Sequence, residues 1–407
     1  IFELKFEFNS AEEIEESIST LLASGIVELA EKNYVAKLES LDIESSNENG
    51  LWGFEIIRLT EAYHFIEQNG IIFHPVKIAI LDNGFDLNHR DFSGLDYESF
   101  DFGDVDDDVS VENLDSDDKG HGTATAGVIV AQDNGFGLNG IAFNANLIAL
   151  KLFPDSNKFD NETFLRNVVA GIIYAVKKDA SVINMSFQVF VNPSDIGFLE
   201  IAVNYAYAHN VVMVASSGNT GIDATNHFPS AFSDVISVGA TGYDEYGLEN
   251  RTNWSGFSQN DDPDILTLAA PGKDLRLLGI DNSFAIGEGT SFAAPLVSGL
   301  AGLLKQIRPE LNPDEIRKII YESATEILVT YPDGVSHNWR RINVLAAVKK
   351  ATHEMYLPNH GIGKNCVVSS DCDFDLFCIS GICTETCFEE KDRDQNLGVS
   401  CDNCNLF

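Results

Sequence analysis

Residues 76–84 read Val-Lys-Ile-Ala-Ile-Leu-Asp-Asn-Gly, a short aliphatic run that ends in an acid, an amide and a glycine. Such a run is typical of a strand that is buried on both faces, and the polar residues after it indicate a turn. Similar runs recur along the chain, and together they predict strands at 76–81, 147–153, 182–186, 211–215 and 235–240.

Longer amphipathic segments lie between and after these runs and predict helices at 123–131, 163–178, 198–209, 292–307 and 313–323. Asn312 as the N-cap and Pro313 at the first helical position indicate where the last of these helices begins. The alternation predicts an α/β fold, a parallel sheet with helices on both faces. Reactive groups in such folds collect at the carboxyl ends of the strands.

Length and charge narrow the class of protein. A chain of 407 residues with 44% hydrophobic content can form two or three domains with a sizeable core. The net charge of −37 would repel phosphate backbones, so we expect no nucleic-acid partner. No run of about 18 apolar residues occurs, so we expect no transmembrane segment.

Three polar residues stand at predicted junctions between elements. Asp82 follows the first strand, His121 opens an Ala-rich helix in Gly-His-Gly-Thr, and Ser291 opens another in Gly-Thr-Ser-Phe-Ala-Ala-Pro. Each alone is a weak signal, because an acid at a strand end is often a turn residue and a serine at a helix start is often a cap. Together, in the order Asp, His, Ser, they match a known hydrolase arrangement.

Further motifs carry a family resemblance. They are Trp52-Gly53, Val182-Ile183-Asn184-Met185-Ser186, Ala215-Ser216-Ser217-Gly218-Asn219, Val238-Gly239-Ala240-Thr241, Ala269-Ala270-Pro271-Gly272 and Arg341-Ile342-Asn343. With the three junction residues, this order resembles the subtilase family of serine proteases across a domain that we place at 51–352. The resemblance implies a subtilisin-like parallel sheet, preceded by a small α+β propeptide unit and followed by a disulfide-rich tail.

The resemblance also implies catalytic roles. Ser291 would be the nucleophile, His121 the base that activates it, and Asp82 the group that orients the imidazole. Asn219 would donate its side-chain amide to the oxyanion, together with the main-chain N–H of Ser291. The family pattern is broken at Asn83, Ala124 and Arg90, none of which is a reacting group.

Substrate-binding residues follow from the same resemblance. Ser186, Phe187 and Gln188 would form an edge strand that pairs with an extended substrate. Ser217 and Gly218 would form the far wall of the pocket for the residue before the scissile bond, where we expect apolar or bulky side chains. Gln188 stands where the family usually has glycine, and its side chain could narrow the groove, contact the substrate or point to solvent.

Two places in the sequence are candidates for calcium. Asp91 and Asn134 match positions that bind a structural calcium ion in many subtilases. Separately, nine of the eighteen residues from Asp101 to Asp118 are acidic, which suits either a metal site or a solvated surface loop.

The N-terminal residues 1–38 alternate as strand, helix and strand, and they resemble the later part of a subtilase propeptide that lays its last strand along the cleft. An acidic linker at 39–50 would hold the cleavage site. The alternative is that residues 1–38 are never cleaved off and serve only as a structural part of the protein. Because the chain begins at Ile1 instead of Met, we expect that its natural beginning is missing.

All seven cysteines fall after a second linker at 353–365, in a short module at 366–407. This density is typical of small extracellular modules held by disulfides, and a zinc site is the alternative. Residues 392–404 also resemble a degenerate thrombospondin type 3 repeat, and we expect the module to be truncated.

The leading hypothesis is a secreted serine endopeptidase, made as a precursor and stabilised by calcium. We expect it to be a monomer outside the cell or at its surface, with protein or peptide substrates and its own propeptide as partners. The alternative from another class is an inactive extracellular binding or adhesion protein on the same fold.

Overall fold

The structure is a computed structural model. It describes residues 36–37, 48–111, 120–155, 161–189, 196–244, 246–257, 268–331, 334–356, 376–379 and 382–385. The chain divides into a larger unit, Ile1–Ala347, and a smaller unit, Val348–Phe407. Most of the predicted N-terminal unit, both predicted linkers in large part, and most of the cysteine-rich module lie outside the described residues.

The strands that the structure describes are β1 (Ala36–Lys37), β2 (Lys77–Asp82), β3 (Tyr97–Asp101), β4 (Asn146–Lys151), β5 (Val182–Met185), β6 (Gln188–Val189), β7 (Val212–Ser216), β8 (Val235–Tyr243), β9 (Glu249–Arg251), β10 (Leu268–Pro271), β11 (Leu275–Leu278), β12 (Phe284–Gly287), β13 (Thr325–Thr330), β14 (Ser336–Arg341), β15 (Leu376–Ile379) and β16 (Ile382–Glu385). Ten of them form one sheet in the order β13-β14-β10-β8-β7-β5-β2-β4-β3, with β9 beside β8. The pairings from β14 to β3 are parallel, whereas β13 and β9 are antiparallel to their neighbours.

The described helices are α1 (Trp52–Ile56), α2 (Leu59–Gln68), α3 (His121–Val130), α4 (Asn161–Lys177), α5 (Gly197–Ala208), α6 (Thr290–Ile307), α7 (Pro313–Ser323) and α8 (Val344–Tyr356). Every residue of α6 is buried, and so is every residue of α3. The helices α4 and α5 contribute to a separate apolar cluster that includes Ala79, Ile148 and Ile183 of the sheet. No helix among the described residues is both long and apolar enough to cross a membrane.

The predicted α/β class and its main elements are confirmed. All five predicted strands and all five predicted helices are present, with ends that differ by no more than three residues. Asn312 caps α7 through a reciprocal capping box with Glu315, as the Asn-Pro start suggested. The other five strands of the sheet, β3, β9, β10, β13 and β14, were not predicted, because they are short or rich in polar residues and gain their stability from pairing within the sheet.

Gly50 differs from its predicted place in an exposed linker. It is buried in a short 3₁₀ helix, Glu48–Leu51, where an added Cβ would lie 2.3 Å from the backbone nitrogen of Arg276. The close approach of the two backbones therefore requires glycine at this position.

Parallel register gathers the ends of three central strands at one edge of the sheet. Leu81 of β2 is level with Met185 of β5, and Met185 is level with Ala215 of β7. Consequently Asp82, Ser186 and the residues after Ala215 leave the sheet side by side. This edge is where the chemistry was expected.

In the smaller unit, β15 and β16 form an antiparallel hairpin in which Cys378 and Cys383 are register partners.

Candidate active site

Asp82 is the last residue of β2, and its side chain is fully buried. Its Oδ1 atom accepts hydrogen bonds from the backbone N–H of Asn83 at 2.8 Å and from Nδ1 of His121 at 2.7 Å. Thr125 Oγ1 lies 3.1 Å from the second carboxylate oxygen. Both oxygens of this buried carboxylate therefore have polar neighbours, which a buried charge requires.

His121 is the first residue of α3 and is also fully buried. Because the aspartate can only accept when ionised, the hydrogen of the 2.7 Å bond belongs to Nδ1 of the imidazole. The tautomer that this bond selects leaves Nε2 as the basic nitrogen. The ring lies against Phe292 of α6, with the two centroids 5.4 Å apart.

Ser291 is the second residue of α6, between Phe292 and Thr290, and it is buried. The carbonyl oxygen of Ser291 accepts a hydrogen bond from Oγ of Ser186 at 2.8 Å. This contact ties the start of α6 to the end of β5. Its position in the first turn places the serine at the positive end of the helix dipole, where a negative charge is stabilised.

Asn219 follows β7 and is bonded to the residue before Ser291. Its Oδ1 atom accepts hydrogen bonds from the backbone N–H and from Oγ1 of Thr290, both at 2.8 Å. Because two donors meet this atom, it must be the carbonyl oxygen, and the amide NH₂ lies on the other side of the group. The Asn219 side chain is thus fixed against Thr290, the residue before Ser291, and its NH₂ group is the end that can donate.

The structure therefore joins Asp82 to His121 directly. Phe292, the residue after Ser291, contacts the His121 ring, and Thr290, the residue before Ser291, is hydrogen-bonded to Asn219. This arrangement supplies a polarised imidazole, a hydroxyl at a helix start and a fixed amide donor. Such a set can perform acyl transfer.

The predicted substrate-binding residues have different environments. Ser186 is part of a buried hydrogen-bonded chain, accepting from Asn184 at 2.9 Å, while Asn184 accepts from Ser298 of α6 at 2.8 Å. The side chain of Phe187 lies in the core against Phe164, so a contact with substrate would fall to its main chain. Sequence reasoning did not find this tie between β5 and α6.

Gln188 is buried instead of pointing to solvent, with 6% of its surface exposed. It lies in β6, which pairs antiparallel with β1 in a register that sets Lys37 opposite Gln188 and Ala36 opposite Val189. The last residue of the predicted edge strand, Gln188, is therefore paired with Lys37, near the end of the predicted N-terminal unit. On the far wall, Ser217 is buried and Gly218 has a φ of 92°, a conformation that favours glycine.

Asp91 has the surroundings that a metal ligand needs. Its side chain is fully buried, Oδ2 accepts from the N–H of Leu138 at 2.8 Å, and Oδ1 has no hydrogen-bond partner among the described residues. Burial raises the pKa of this carboxyl, and the Leu138 bond offsets the effect only in part. An added Cβ on Gly137 would lie 2.2 Å from Oδ2, so the loop passes directly over the carboxylate.

Asn134 is exposed in the same loop. Its Nδ2 donates to the carbonyl of Arg90 at 3.1 Å, and its Oδ1 accepts from the N–H of Phe136 at 3.1 Å. The carbonyl oxygen retains a second lone pair. Asp91 and Asn134 together offer the hard oxygen ligands that suit calcium.

Two acids of the acidic stretch, Asp101 and Asp104, form a second group of carboxylates with Asp155. Ligand oxygens of Asp101, Asp104 and Asp155 lie within 4.8 Å of one another. However, Lys151 is buried beside them, with Nζ 2.9 Å from Asp101 and a further bond to Asp155. Burial lowers the pKa of Lys151, but the hydrogen bonds and the opposite charges of Asp155 and Asp101 together outweigh it and raise the pKa. The lysine therefore already supplies a positive charge to this group.

Sequence reasoning missed Thr125, Thr290 and His227. Thr125 follows His121 by one helical turn and so lies on the same face of α3, a spacing that could have indicated its contact with Asp82. Thr290 could have been noted as the neighbour of Ser291. His227 follows Gly218 by nine residues in an irregular segment, and only tertiary packing returns its ring to that glycine.

Comparison with known proteins agrees with this geometry. Residues 74–353 match the sequence profile described as the subtilase family. Subtilisin DY of Bacillus licheniformis is 32% identical over 277 residues, which are 67% of this chain and 91% of that protein. The minor extracellular protease Epr of Bacillus subtilis (strain 168) is 31% identical over 293 residues, which are 71% of this chain and 41% of Epr.

A solved structure is similar in fold. The crystal structure of a cold adapted subtilisin-like serine proteinase matches with a TM-score of 0.53 and 24% sequence identity, covering 65% of this chain and 87% of that one. This likeness supports the arrangement of the sheet and helices.

Proposed function

This chain belongs to the subtilase family of serine proteases, and we propose that it is an endopeptidase that uses Asp82, His121 and Ser291 as its catalytic triad. The observation that carries the proposal is the buried 2.7 Å hydrogen bond between Asp82 and His121 beside the helix that begins with Thr290 and Ser291. Its substrates are proteins or peptides.

The mechanism assigns one task to each group. His121 takes the hydroxyl proton as Ser291 attacks the scissile carbonyl, and it later returns the proton to the leaving amine. Asp82 holds the ring in the required tautomer and stabilises the imidazolium. The acyl-enzyme is then hydrolysed by water through the same sequence of proton transfers.

The oxyanion that forms in each step needs donors already in place. Asn219 offers its amide NH₂, since its carbonyl end is held by Thr290, and the N–H of Ser291 offers a second donor at the helix start. In subtilisin, the member of this family from which the figure comes, loss of the side-chain donor costs about 3 kcal/mol of barrier.

We propose that the N-terminal residues restrain the enzyme as a propeptide. The pairing of β1 with β6 supports this role, because a chain segment that occupies an edge strand excludes a substrate that needs the same hydrogen bonds. Cleavage in the acidic segment that follows would free the strand.

We propose that calcium binds at Asp91 and Asn134. The buried Oδ1 of Asp91 supports it, since an unpaired carboxylate oxygen in such a place is costly unless a cation or a donor compensates. The ion would stabilise the loop that carries Gly137 and would take no part in the chemistry. Secretion of the enzyme, disulfides in residues 366–407 and a monomeric state are part of the same proposal.

The test of the proposed activity is hydrolysis of unfolded casein and of a peptide library by the full chain. We expect cleavage, and we expect Ser291→Ala to lower kcat by about 10⁶-fold, the value known for the nucleophile in subtilisin. Ser93→Ala, at an exposed serine, should leave kcat unchanged. Equal cleavage by the wild-type and Ser291→Ala chains would contradict the proposal.

A further inference from the structure

The pocket beside Ser291 has walls that are both bonded to the start of α6. On one side, Ser186 donates to the carbonyl oxygen of Ser291 at 2.8 Å. On the other side, the N–H of Gly218 donates to Oγ1 of Thr290 at 3.1 Å. Residues 186 and 218 therefore flank the start of α6, and the resemblance to subtilases implies that the space between residues 186–188 and 217–218 receives the substrate residue before the scissile bond.

Gln188 reaches across this space. A Cβ added to Gly218 would lie 3.0 Å from Oε1 of Gln188, so the end of the glutamine side chain meets the opposite wall. The Gln188 side chain is buried. At position 218, both the φ of 92° and the close contact with Gln188 require glycine.

His227 fills the same region from another direction. Its Nδ1 and Cε1 atoms would lie 2.3 and 2.5 Å from the same added Cβ. The ring has a hydrogen bond with the Ser217 backbone. The N–H of Val189 also donates to the carbonyl oxygen of Phe228 at 2.7 Å, which ties the end of β6 to the residue after His227. The imidazole and the glutamine amide thus meet at Gly218.

The glutamine also has an unused donor. Gln188 Nε2 is buried and has no hydrogen-bond partner among the described residues. A short side chain with an oxygen atom could accept this hydrogen bond, whereas an alkyl side chain would leave the donor unsatisfied. A large side chain would have to displace both polar groups from a closely packed site.

We infer that Gln188 and His227 restrict the pocket so that the enzyme cleaves after small residues, in the order Ser, then Ala, with Leu and Phe excluded. This inference rests on the proposed endopeptidase activity. It replaces the expectation, drawn from the sequence, that apolar or bulky residues would be accepted. Gln188 determines the specificity by contact with the substrate side chain.

The test compares kcat/KM for four peptides that differ only in Ser, Ala, Leu or Phe before the scissile bond. The full chain is used, and its active sites are counted with a fluorophosphonate. We expect the Ser peptide to exceed the Phe peptide by at least 100-fold. Active sites that react with the fluorophosphonate but prefer Phe or Leu would overturn the inference and leave the proposed activity standing.

Two variants separate the roles of size and polarity. Gln188→Gly should raise the Phe-to-Ser ratio of kcat/KM by at least tenfold, because the side chain that crosses the pocket is gone. Gln188→Met keeps the length and removes the amide, so Phe should remain excluded while the preference for Ser over Ala is lost. Gln68→Gly, at an exposed glutamine of α2, is the control and should keep the wild-type ratios.

An unchanged Phe-to-Ser ratio in Gln188→Gly would overturn the role of Gln188. If that variant fails to fold, the wild-type order of the four peptides still decides. A chain that neither reacts with the fluorophosphonate nor cleaves any peptide, even after residues 1–47 are removed, would contradict the proposed activity itself, and the inference with it.

Discussion

Nδ1 of His121 lies 2.7 Å from Oδ1 of Asp82, and both side chains are fully buried. The two residues come from different elements, the end of β2 and the start of α3. Because the contact excludes water, the carboxylate interacts with the imidazole more strongly than it would at the surface. The arrangement is therefore suited to holding one tautomer of the histidine throughout a reaction.

Thr125→Val tests how firmly the carboxylate must be held. The hydroxyl lies 3.1 Å from Asp82 Oδ2 and 3.0 Å from the Gly122 carbonyl, and valine has the same shape without it. We expect kcat to fall by about tenfold with KM unchanged, since one polar contact to a charged group is lost while the others stay. Steady-state kinetics on one peptide provides both values.

The control for that variant is Thr123→Val, whose hydroxyl accepts from the N–H of Asp86 at 2.9 Å. It removes a hydroxyl from the same helix but not from Asp82, so it should change stability without changing kcat. Equal losses of kcat in the two variants would show that the effect is general to α3.

Removal of residues 1–47 tests whether the N-terminal segment inhibits the proposed protease activity. The truncated chain loses β1, and the edge at Gln188 and Val189 becomes available to substrate. We expect its initial rate of peptide hydrolysis to be at least tenfold higher, and the separate peptide 1–47 to inhibit it again. Equal rates, with active sites counted in both chains, would contradict the inhibitory role.

Asp91→Asn tests the calcium site in a Ser291→Ala background, which prevents self-digestion. In the parent, chelator should lower Tm by several degrees, because a ligand at about 100 times its Kd adds about 2.7 kcal/mol to the free energy of unfolding. Asp91→Asn should have a low Tm that no longer responds to calcium. Differential scanning calorimetry with and without chelator measures both effects.

Asp155→Asn provides the matched control, because it removes a carboxylate from the other acidic group, where Lys151 already forms an ion pair with Asp155. Its response to calcium should equal that of the parent. If chelator leaves the Tm of the parent unchanged, the calcium proposal is wrong.

His227 should make stability depend on pH. Burial lowers its pKa in the folded protein, and a hydrogen bond with the Ser217 backbone offsets the effect only in part. As the pH falls below about 6.5, the unfolded chain binds a proton that the folded chain does not, so the free energy of unfolding decreases. One such group contributes at most about 1.4 kcal/mol per pH unit.

His227→Gln in the Ser291→Ala background should remove this contribution. Urea unfolding at pH 7 and pH 5 should show a smaller loss of stability in the variant than in the parent. A loss of the same size in both chains would show that the ring does not titrate as its burial implies.

The sheet and its helices could be predicted because their signal is local. The aliphatic run 78–81 is buried on both faces, and the cap at Asn312 acts on its own helix. By contrast, β10 is four residues long and contains a proline, so only its partners β8 and β14 identify it as a strand.

The residues of the candidate site also fall into those that local sequence predicts and those that only tertiary contacts reveal. Asp82 and His121 stand at predicted junctions, and the resemblance assigned them roles that the 2.7 Å contact supports. The direction of the Gln188 side chain could not be predicted, because it depends on β1 and Gly218, which are distant in sequence. Nor could the place of His227, which packing alone brings to the pocket.

The central claim is that Ser291 is an activated nucleophile, and covalent labelling tests it most directly. The full chain is treated with a fluorophosphonate, digested and mapped by mass spectrometry. We predict one adduct on Ser291, lost in Ser291→Ala and strongly slowed in His121→Ala. Labelling of another serine at a comparable rate, or none at Ser291 after residues 1–47 are removed, would contradict the account.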